Sequence, residues 1–148
     1  MNYQDINAKA IGDWCREGWV WGVPISHETF LRAKEGRWDV LLTPTKPVPH
    51  SWFGELRGKR VLGLASGGGQ QMPIFAALGA DCTVLDYTPE QLESEREVAR
   101  REGYEIEART GLGYRLTAAP DALTEPEIRS FLGETAVVGR ELRCFAEL

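Results

Sequence analysis

The first third of the chain has apolar residues at helical spacing. Ile6, Ala10 and Trp14 recur at intervals of four residues, which places them on one face of a predicted helix. Gly18 follows this pattern and favours the left-handed conformation in which helices commonly end. The chain is therefore predicted to begin with an amphipathic helix.

A second helix is predicted after a tryptophan-rich stretch at residues 19–24. Ser26 has a side chain suited to an amino-terminal cap, and Gly36 marks the expected end of the helix. Phe30 and Leu31 are the large apolar side chains within it, so both are expected to be buried. The two helices together predict an N-terminal helical cap.

A proline-rich segment follows at residues 43–49. Each proline lacks a backbone N–H donor, and the residue before a proline disfavours helix, so the segment is predicted to run as an extended connector. We place a domain boundary here. The helical cap and its connector occupy residues 1–50, and a second domain occupies residues 51–148.

Downstream, short apolar runs alternate with helical segments. Continuous apolar runs of four or five residues are typical of parallel strands covered on both faces. The predicted elements are a strand at 61–65, a helix at 70–78, a strand at 82–85, a helix from a capping box at Thr88 to about residue 102, and a strand at 104–108. This order predicts an α/β fold, a Rossmann-like partial parallel sheet with flanking helices, preceded by the N-terminal helical cap.

The last forty residues follow this pattern less well. A helix start at residues 124–127, a strand at residues 135–138 and a final helix at residues 141–148 are the elements that their apolar positions favour. These segments do not continue the regular alternation of strand and helix seen before them.

Composition and charge narrow the class of protein. The chain has 148 residues, of which 43% are hydrophobic and 26% are charged, as in ordinary globular domains. Its net charge of −5 argues against general nucleic-acid binding. Three cysteines, without a Cys-x-x-Cys pair, fit a reducing compartment. With no signal peptide and no membrane-spanning segment in the sequence, we expect a cytoplasmic protein that does not bind membranes.

The turn after the first apolar strand is the most informative segment. Ser66, Gly67, Gly68 and Gly69 open onto a predicted helix, and a backbone without Cβ atoms allows a sharp turn and the close approach of a ligand. Asp86 stands at the carboxyl end of the next strand, where a carboxylate can accept hydrogen bonds from both hydroxyls of a ribose. The two features together predict a nucleoside site.

The spacing of the glycines argues against a dinucleotide. That fingerprint requires a third glycine three residues after the second, for close packing of the helix. Counted from Gly67 and Gly69, this position is Met72. The spacing of the glycines therefore disfavours an NAD-dependent oxidoreductase.

Residues 60–106 resemble class I S-adenosylmethionine-dependent methyltransferases in the order of the apolar strand, the glycine turn and the strand-end acid. The resemblance implies that S-adenosyl-L-methionine is the cofactor and that the turn passes beneath its methionine and ribose. It assigns the turn to Ala65, Ser66, Gly67, Gly68 and Gly69, the ribose to Asp86, and an adenine contact to Tyr87. It identifies neither the methyl acceptor nor a catalytic base.

The chain departs from that family at several positions. The family usually has an acid in the first strand and a glycine two residues later, whereas this chain has Gly63 and Ala65. Too few residues follow Arg60 to complete the seven-stranded sheet of the family, at roughly 30 residues for each strand-helix-strand unit. An altered or truncated carboxyl-terminal half is expected, with the sheet edge covered by residues 135–138 or by a second copy in a homodimer. A non-catalytic binding or assembly module is thus the alternative to an enzyme.

Other conspicuous residues have ordinary interpretations. The five tryptophans are expected mainly to pack in the core, although they could line a substrate pocket. His27 and His50 lack a second ligand at metal spacing, so no metal site is predicted. The charged run from Glu93 to Arg101 is interpreted as the exposed face of a helix.

Overall fold

The computed structural model describes residues 2–110, which contain four α-helices and two small sheets. The helices are α1 (Tyr3–Arg16), α2 (His27–Lys34), α3 (Gln71–Ala77) and α4 (Pro89–Glu102). The strands are β1 (Leu41–Thr43), β2 (Lys46–Pro47), β3 (Arg60–Leu64), β4 (Asp81–Asp86) and β5 (Glu107–Thr110). Local sequence signals account for several of these bounds. The Ser26 side chain caps α2 by accepting a hydrogen bond from the Thr29 amide, and a proline opens α4.

The larger sheet is parallel and has the strand order β3-β4-β5. Val61 lies opposite Cys82, and Val84 lies opposite Ala108. Helix α3 connects β3 to β4, and α4 connects β4 to β5. The prediction of an α/β fold with a Rossmann-like partial parallel sheet and flanking helices is confirmed.

The buried core joins this sheet to the amino-terminal segment, which comprises residues 2–50. Ala33 of α2 and Val40 belong to the same buried apolar cluster as Ile74, Phe75 and Val84. Aromatic rings extend the cluster, since the Trp38 and Phe53 rings both contact the Phe75 ring. The sheet is thereby covered on the side of α2 and α3. The boundary at residue 50 stays a prediction.

The first two helices expose apolar residues that their sequence patterns would place inside. Leu31 is 43% exposed, so its predicted burial is wrong, whereas Phe30 is buried. On α1, Ile6 and Trp14 are also exposed, and the buried residue is Gly12, which contacts α4 at Glu90. Helix α1 thus meets α4 through the face that carries Gly12, while Ile6 and Trp14 remain exposed.

Strand β3 has one exposed side. Leu62 is 59% exposed, so the expectation that this strand is covered on both faces is wrong at that residue. Within residues 2–110, β3 pairs with β4 alone, and its other edge has no partner strand. Both of the expected covers for this edge, residues 135–138 and a second chain, lie outside the described residues.

The proline-rich connector forms a hairpin instead of a simple extended link. Strands β1 and β2 pair antiparallel, with Leu41 opposite Pro47 and Thr43 opposite Lys46. The Val48 amide also donates to the Val40 carbonyl at 2.7 Å. Prolines are tolerated here because this two-stranded ribbon has free edges that need no N–H donor.

The predicted elements after residue 110 also lie outside the described residues, as does Cys144. In the part of the chain that is described, every helix is too short or too polar to cross a bilayer.

Candidate functional site

The glycine turn begins with an alanine in an unusual conformation. Ala65 follows β3 directly and has a φ of +49°, in the left-handed region that few non-glycine residues adopt. Its amide donates to the Leu85 carbonyl at 2.8 Å, which anchors the turn to the end of β4. The turn therefore begins at Ala65, and a hydrogen bond to the neighbouring strand anchors its first residue.

All three glycine amides of the turn donate to acceptors within the protein. Gly67, Gly68 and Gly69 donate, in that order, to Asp86 Oδ2 at 3.2 Å, the Gln91 carbonyl at 3.1 Å and Glu95 Oε1 at 3.0 Å. Since these donors are already paired, a ligand at this turn contacts other atoms.

The last two glycines leave room for other parts of the protein. Gly68 and Gly69 have φ values of +107° and +70°, which side chains rarely tolerate. A Cβ atom on Gly69 would lie 2.8 Å from Pro24 Cβ and 2.9 Å from the Ser94 carbonyl oxygen. Both glycines thus permit close packing between the amino-terminal segment and α4.

Asp86 lies on the same side of the sheet as the turn. Besides Gly67, its carboxylate accepts a hydrogen bond at Oδ1 from the Thr88 amide at 2.8 Å. This bond takes the place of the predicted capping box, because the Thr88 side chain makes no cap bond and α4 begins at Pro89. Each carboxylate oxygen has two lone pairs, so Asp86 retains acceptor capacity for a ligand.

A cavity of about 280 Å³ lies between this turn and the amino-terminal segment. Of the predicted site residues, four line it: Ala65, Ser66, Gly67 and Asp86. Gly68 and Gly69 lie behind its wall. Tyr87 does not line it either, and its hydroxyl donates to Asp5 Oδ1 of α1 at 2.6 Å. The structure thus brings the start of the turn and the strand-end acid together around one space.

Two buried polar atoms at this cavity have no hydrogen-bond partner within the described residues. They are Ser66 Oγ and Gln91 Oε1, and both residues line the cavity. The serine hydroxyl occupies space that a side chain at Gly63 would fill, since a Cβ there would lie 1.9 Å from it. Unpaired buried polar atoms are costly, and a polar ligand in the cavity would satisfy either atom once its side chain turns toward that space.

Sequence analysis missed several residues of this cavity. Ile11, Trp19 and Trp21 form the side contributed by the amino-terminal segment. The tryptophans were interpreted mainly as core residues, and Trp38 does pack in the core. Gln91 was seen only as part of a capping box. The sequence could have indicated this role, because Gln91 follows the predicted cap Thr88 by three residues and the strand-end acid Asp86 by five.

Glu95 lies behind the turn and is fully buried. Burial raises the pKa of its carboxyl to about 8; the Gly69 hydrogen bond opposes this shift and the nearby Asp86 charge adds to it. Its Oε2 atom has no partner among the described residues. Glu95 is therefore mainly protonated at neutral pH, and the interpretation of residues 93–101 as simply an exposed face is wrong at this position.

Comparison with known proteins supports a methyltransferase relationship. No protein-family model matches the chain. Over 100 residues the chain is 46% identical to the uncharacterized methyltransferase YbaJ of Bacillus subtilis (strain 168). This match covers 68% of the chain and 39% of that protein, so the chain spans well under half of the relative's length. The predicted resemblance to methyltransferases is confirmed by this relative.

A solved structure described as "Conversion of a Disulfide Bond into a Thioacetal Group during Echinomycin Biosynthesis" is also similar. The likeness covers 63% of this chain and 31% of that chain, at 22% sequence identity and a TM-score of 0.37. A likeness at this level is too distant to indicate a function.

Proposed function

We propose that this chain acts in S-adenosylmethionine-dependent methyl transfer, and that the cavity beside Asp86 binds the cofactor. The observation that carries the proposal is the hydrogen bond between the Gly67 amide and the Asp86 carboxylate, at 3.2 Å, in the wall of one cavity. This bond holds the acid at the turn, where a bound ribose would lie. The named methyltransferase relative supports the same function.

The residues at the cavity fit a nucleoside with polar groups on several sides. Asp86 has lone pairs that can accept hydrogen bonds from two ribose hydroxyls. Ser66 Oγ and Gln91 Oε1 offer unpaired polar atoms in a buried position. The Trp19 and Trp21 side chains provide apolar, aromatic surface from the opposite side.

Methyl transfer needs little from the protein beyond position and exclusion of water. When bound, the cofactor would supply an electrophilic methyl group on a positively charged sulfur, which an atom of the acceptor could take over as the neutral thioether leaves; a proton carried by that atom would be lost to water afterwards. Asp86 would fix the ribose and thereby the direction of attack, and the two tryptophans would limit access of water. No nucleophilic residue of the protein is required for this reaction, and none was predicted from the sequence.

The first test is titration calorimetry with S-adenosylmethionine, S-adenosylhomocysteine and NAD. We expect the first two to bind and NAD not to bind. Asp86→Ala should weaken binding by about 1 to 3 kcal/mol, or about 5-fold to 150-fold in Kd, because it removes the ribose acceptor. Asp81→Ala is the matched control, because Asp81 is an exposed acid at the other end of the same strand.

Each contrary result has a definite meaning. Binding of NAD alone would show an oxidoreductase-type site. Binding of none of the three would favour the non-catalytic module. Equal affinities of the Asp86 and Asp81 variants would remove Asp86 from the site. Asp86 also accepts two backbone hydrogen bonds, so its replacement can destabilise the fold. The binding affinity and melting temperature of Asp86→Asn, which keeps an acceptor oxygen, are therefore measured alongside those of Asp86→Ala.

A further inference from the structure

A second and larger cavity adjoins the first. Its volume is about 790 Å³, within the range of roughly 300 to 1,000 Å³ that is usual for small-molecule sites. Trp21, Gln70 and Gln71 line both cavities, so the two spaces share a wall. A ligand in the larger cavity would lie directly beside one in the smaller.

Hydrogen bonds fix the shared wall. The Gln70 side-chain amide donates from Nε2 to the Val20 carbonyl at 2.6 Å and to the Val23 carbonyl at 2.8 Å. The Ile25 amide donates to the Gly69 carbonyl at 2.9 Å. These contacts tie residues 20–25 to the glycine turn, so the two cavities keep a defined relationship.

Apolar side chains form much of the larger cavity. They come from the segment before α2, from the segment that leads into β1 and from α3, and include Val23, Ile25, Trp38, Val40 and Ile74. Trp38 stacks face to face on His50, with ring centroids 3.9 Å apart and planes within 3°. A cavity with this lining is suited to the apolar or aromatic body of a ligand.

Two arginines give the cavity a positive side. Arg37 forms an ion pair with Glu35. Asp39 supplies the one carboxylate that lines the cavity among the described residues, and its Oδ1 atom lies 3.4 Å from His50 Nε2. In contrast, the Arg32 guanidinium has no ion pair or side-chain hydrogen bond within residues 2–110. An unpaired guanidinium at an apolar cavity is suited to bind a carboxylate or phosphate through two parallel hydrogen bonds.

Resting on the proposed function, we infer that this larger cavity binds the methyl acceptor and that the acceptor is a small organic anion. Its apolar or aromatic body lies against Trp38 and the aliphatic side chains, and its carboxylate or phosphate binds Arg32. The acceptor then lies beside the cofactor, and its reactive atom has to pass between the Trp21 and Gln70 side chains of the shared wall to reach the methyl group. Arg32 thereby determines specificity for charge and takes no part in bond making.

The test uses two fluorescent probes with the same aromatic body. 8-Anilinonaphthalene-1-sulfonate carries an anionic group, and N-phenyl-1-naphthylamine does not. We expect Arg32→Gln to weaken sulfonate binding about tenfold while binding of the neutral amine changes less than about twofold, since only the first probe loses a charged contact. Arg32→Lys, which keeps the charge, should retain most of the sulfonate affinity.

Two further variants define the location. Arg60→Gln is the matched control, because Arg60 is an exposed arginine on β3 that does not line the cavity, and it should bind both probes normally. Val23→Trp fills part of the cavity from a half-exposed position and should weaken binding of both probes. Equal effects of the Arg32 and Arg60 substitutions, or unchanged binding by the Val23 variant, would overturn the inference.

Titration of S-adenosylhomocysteine into the same variants separates this inference from the proposed function. Asp86→Ala should weaken binding of the nucleoside and leave binding of both fluorescent probes unchanged. Arg32→Gln should weaken binding of the sulfonate probe and leave binding of the nucleoside unchanged. If the probes behave as expected but no nucleoside binds, the acceptor role fails with the proposed function and an anion-binding cavity remains. If the nucleoside binds but the probes show no dependence on Arg32, the acceptor inference alone is wrong.

Discussion

At the scale of single residues, the turn after β3 combines a strained backbone with donors that are already paired. Ala65 has a φ of +49°, and the following glycine amides bind protein acceptors. Strain of this kind persists where surrounding contacts determine the backbone, here the 2.8 Å bond from Ala65 to Leu85. The turn therefore acts as a rigid frame for Asp86, and ligand contacts are left to side chains.

Ala65→Gly tests this strain. Because glycine tolerates a positive φ, we expect the substitution to raise the free energy of unfolding by up to about 1 kcal/mol, as the relief of strain exceeds the added entropy of the unfolded chain. Chemical denaturation measures the change. Ala80→Gly, at a position without a positive φ, should lower stability instead. A loss of stability in both variants would show that position 65 is unstrained.

At the scale of elements, glycines allow α1 to pack closely against the turn at Val20–Gly22 and against a side chain of α4. Gly22 lies against α1, where a Cβ atom would be 3.1 Å from Cys15 Cα and 2.7 Å from its Sγ. Gly12 of α1 lies against the carboxylate of Glu90 on α4. Helix α1 and the turn at Val20–Gly22 are thus positioned by glycines, and this turn carries Trp21 to both cavities.

Gly22→Ala should separate α1 from the turn at Val20–Gly22. The added methyl group meets backbone that cannot move independently, so we expect a loss of about 1 to 3 kcal/mol in stability and faster hydrogen exchange in α1. Gly12→Ala is the control, since its methyl group meets only the end of the flexible Glu90 side chain and should cost less. Equal losses in the two variants would contradict this account of the packing.

At the scale of the whole molecule, the described part combines a small parallel sheet, whose carboxyl edge borders the smaller cavity, with an amino-terminal segment that lines both cavities. The protein has a net charge of −5. One of its carboxyl groups, that of Glu95, is buried and supports the glycine turn by accepting a hydrogen bond from the Gly69 amide. Ionising this group inside the fold is unfavourable because burial removes the water that would solvate its charge. Its protonation therefore links the stability of the whole fold to pH.

Replacing Glu95 with Gln tests this link. The pKa of Glu95 is near 4.5 in the unfolded chain and about 8 in the folded one, so between these values the folded state holds a proton that the unfolded state releases. Its contribution to the free energy of unfolding should fall by up to about 1.4 kcal/mol per pH unit as pH rises through this window, and then level off. Glu95→Gln should lack this term, so denaturation curves should show the variant gaining on the wild type between about pH 5 and pH 8. Parallel curves would show that Glu95 titrates normally.

The sequence by itself determined the alternation of strands and helices from β3 to β5, the bounds of the first four of these elements to within about one residue, and the acid at the end of β4. The last strand was predicted at residues 104–108 and lies at Glu107–Thr110. These features depend on local causes: continuous apolar runs, a helix that opens at Pro89, and a left-handed glycine, Gly103, at its end. Their nearness in space followed as well, because the carboxyl ends of neighbouring parallel strands meet at one edge of the sheet. The pairing of Gly67 with Asp86 is a consequence of that rule.

Only the tertiary structure decided what each side chain and amide contacts. Periodicity does not reveal that Glu95 of α4 points inward to Gly69, or that Leu31 and Leu62 remain exposed. The reason is physical: a helix or strand has an apolar pattern of its own, but the element that packs against it, and the distance of approach, depend on residues far away in the chain. The two cavities, one between the amino-terminal segment and the end of the sheet and one between that segment and α3, arise from such long-range contacts.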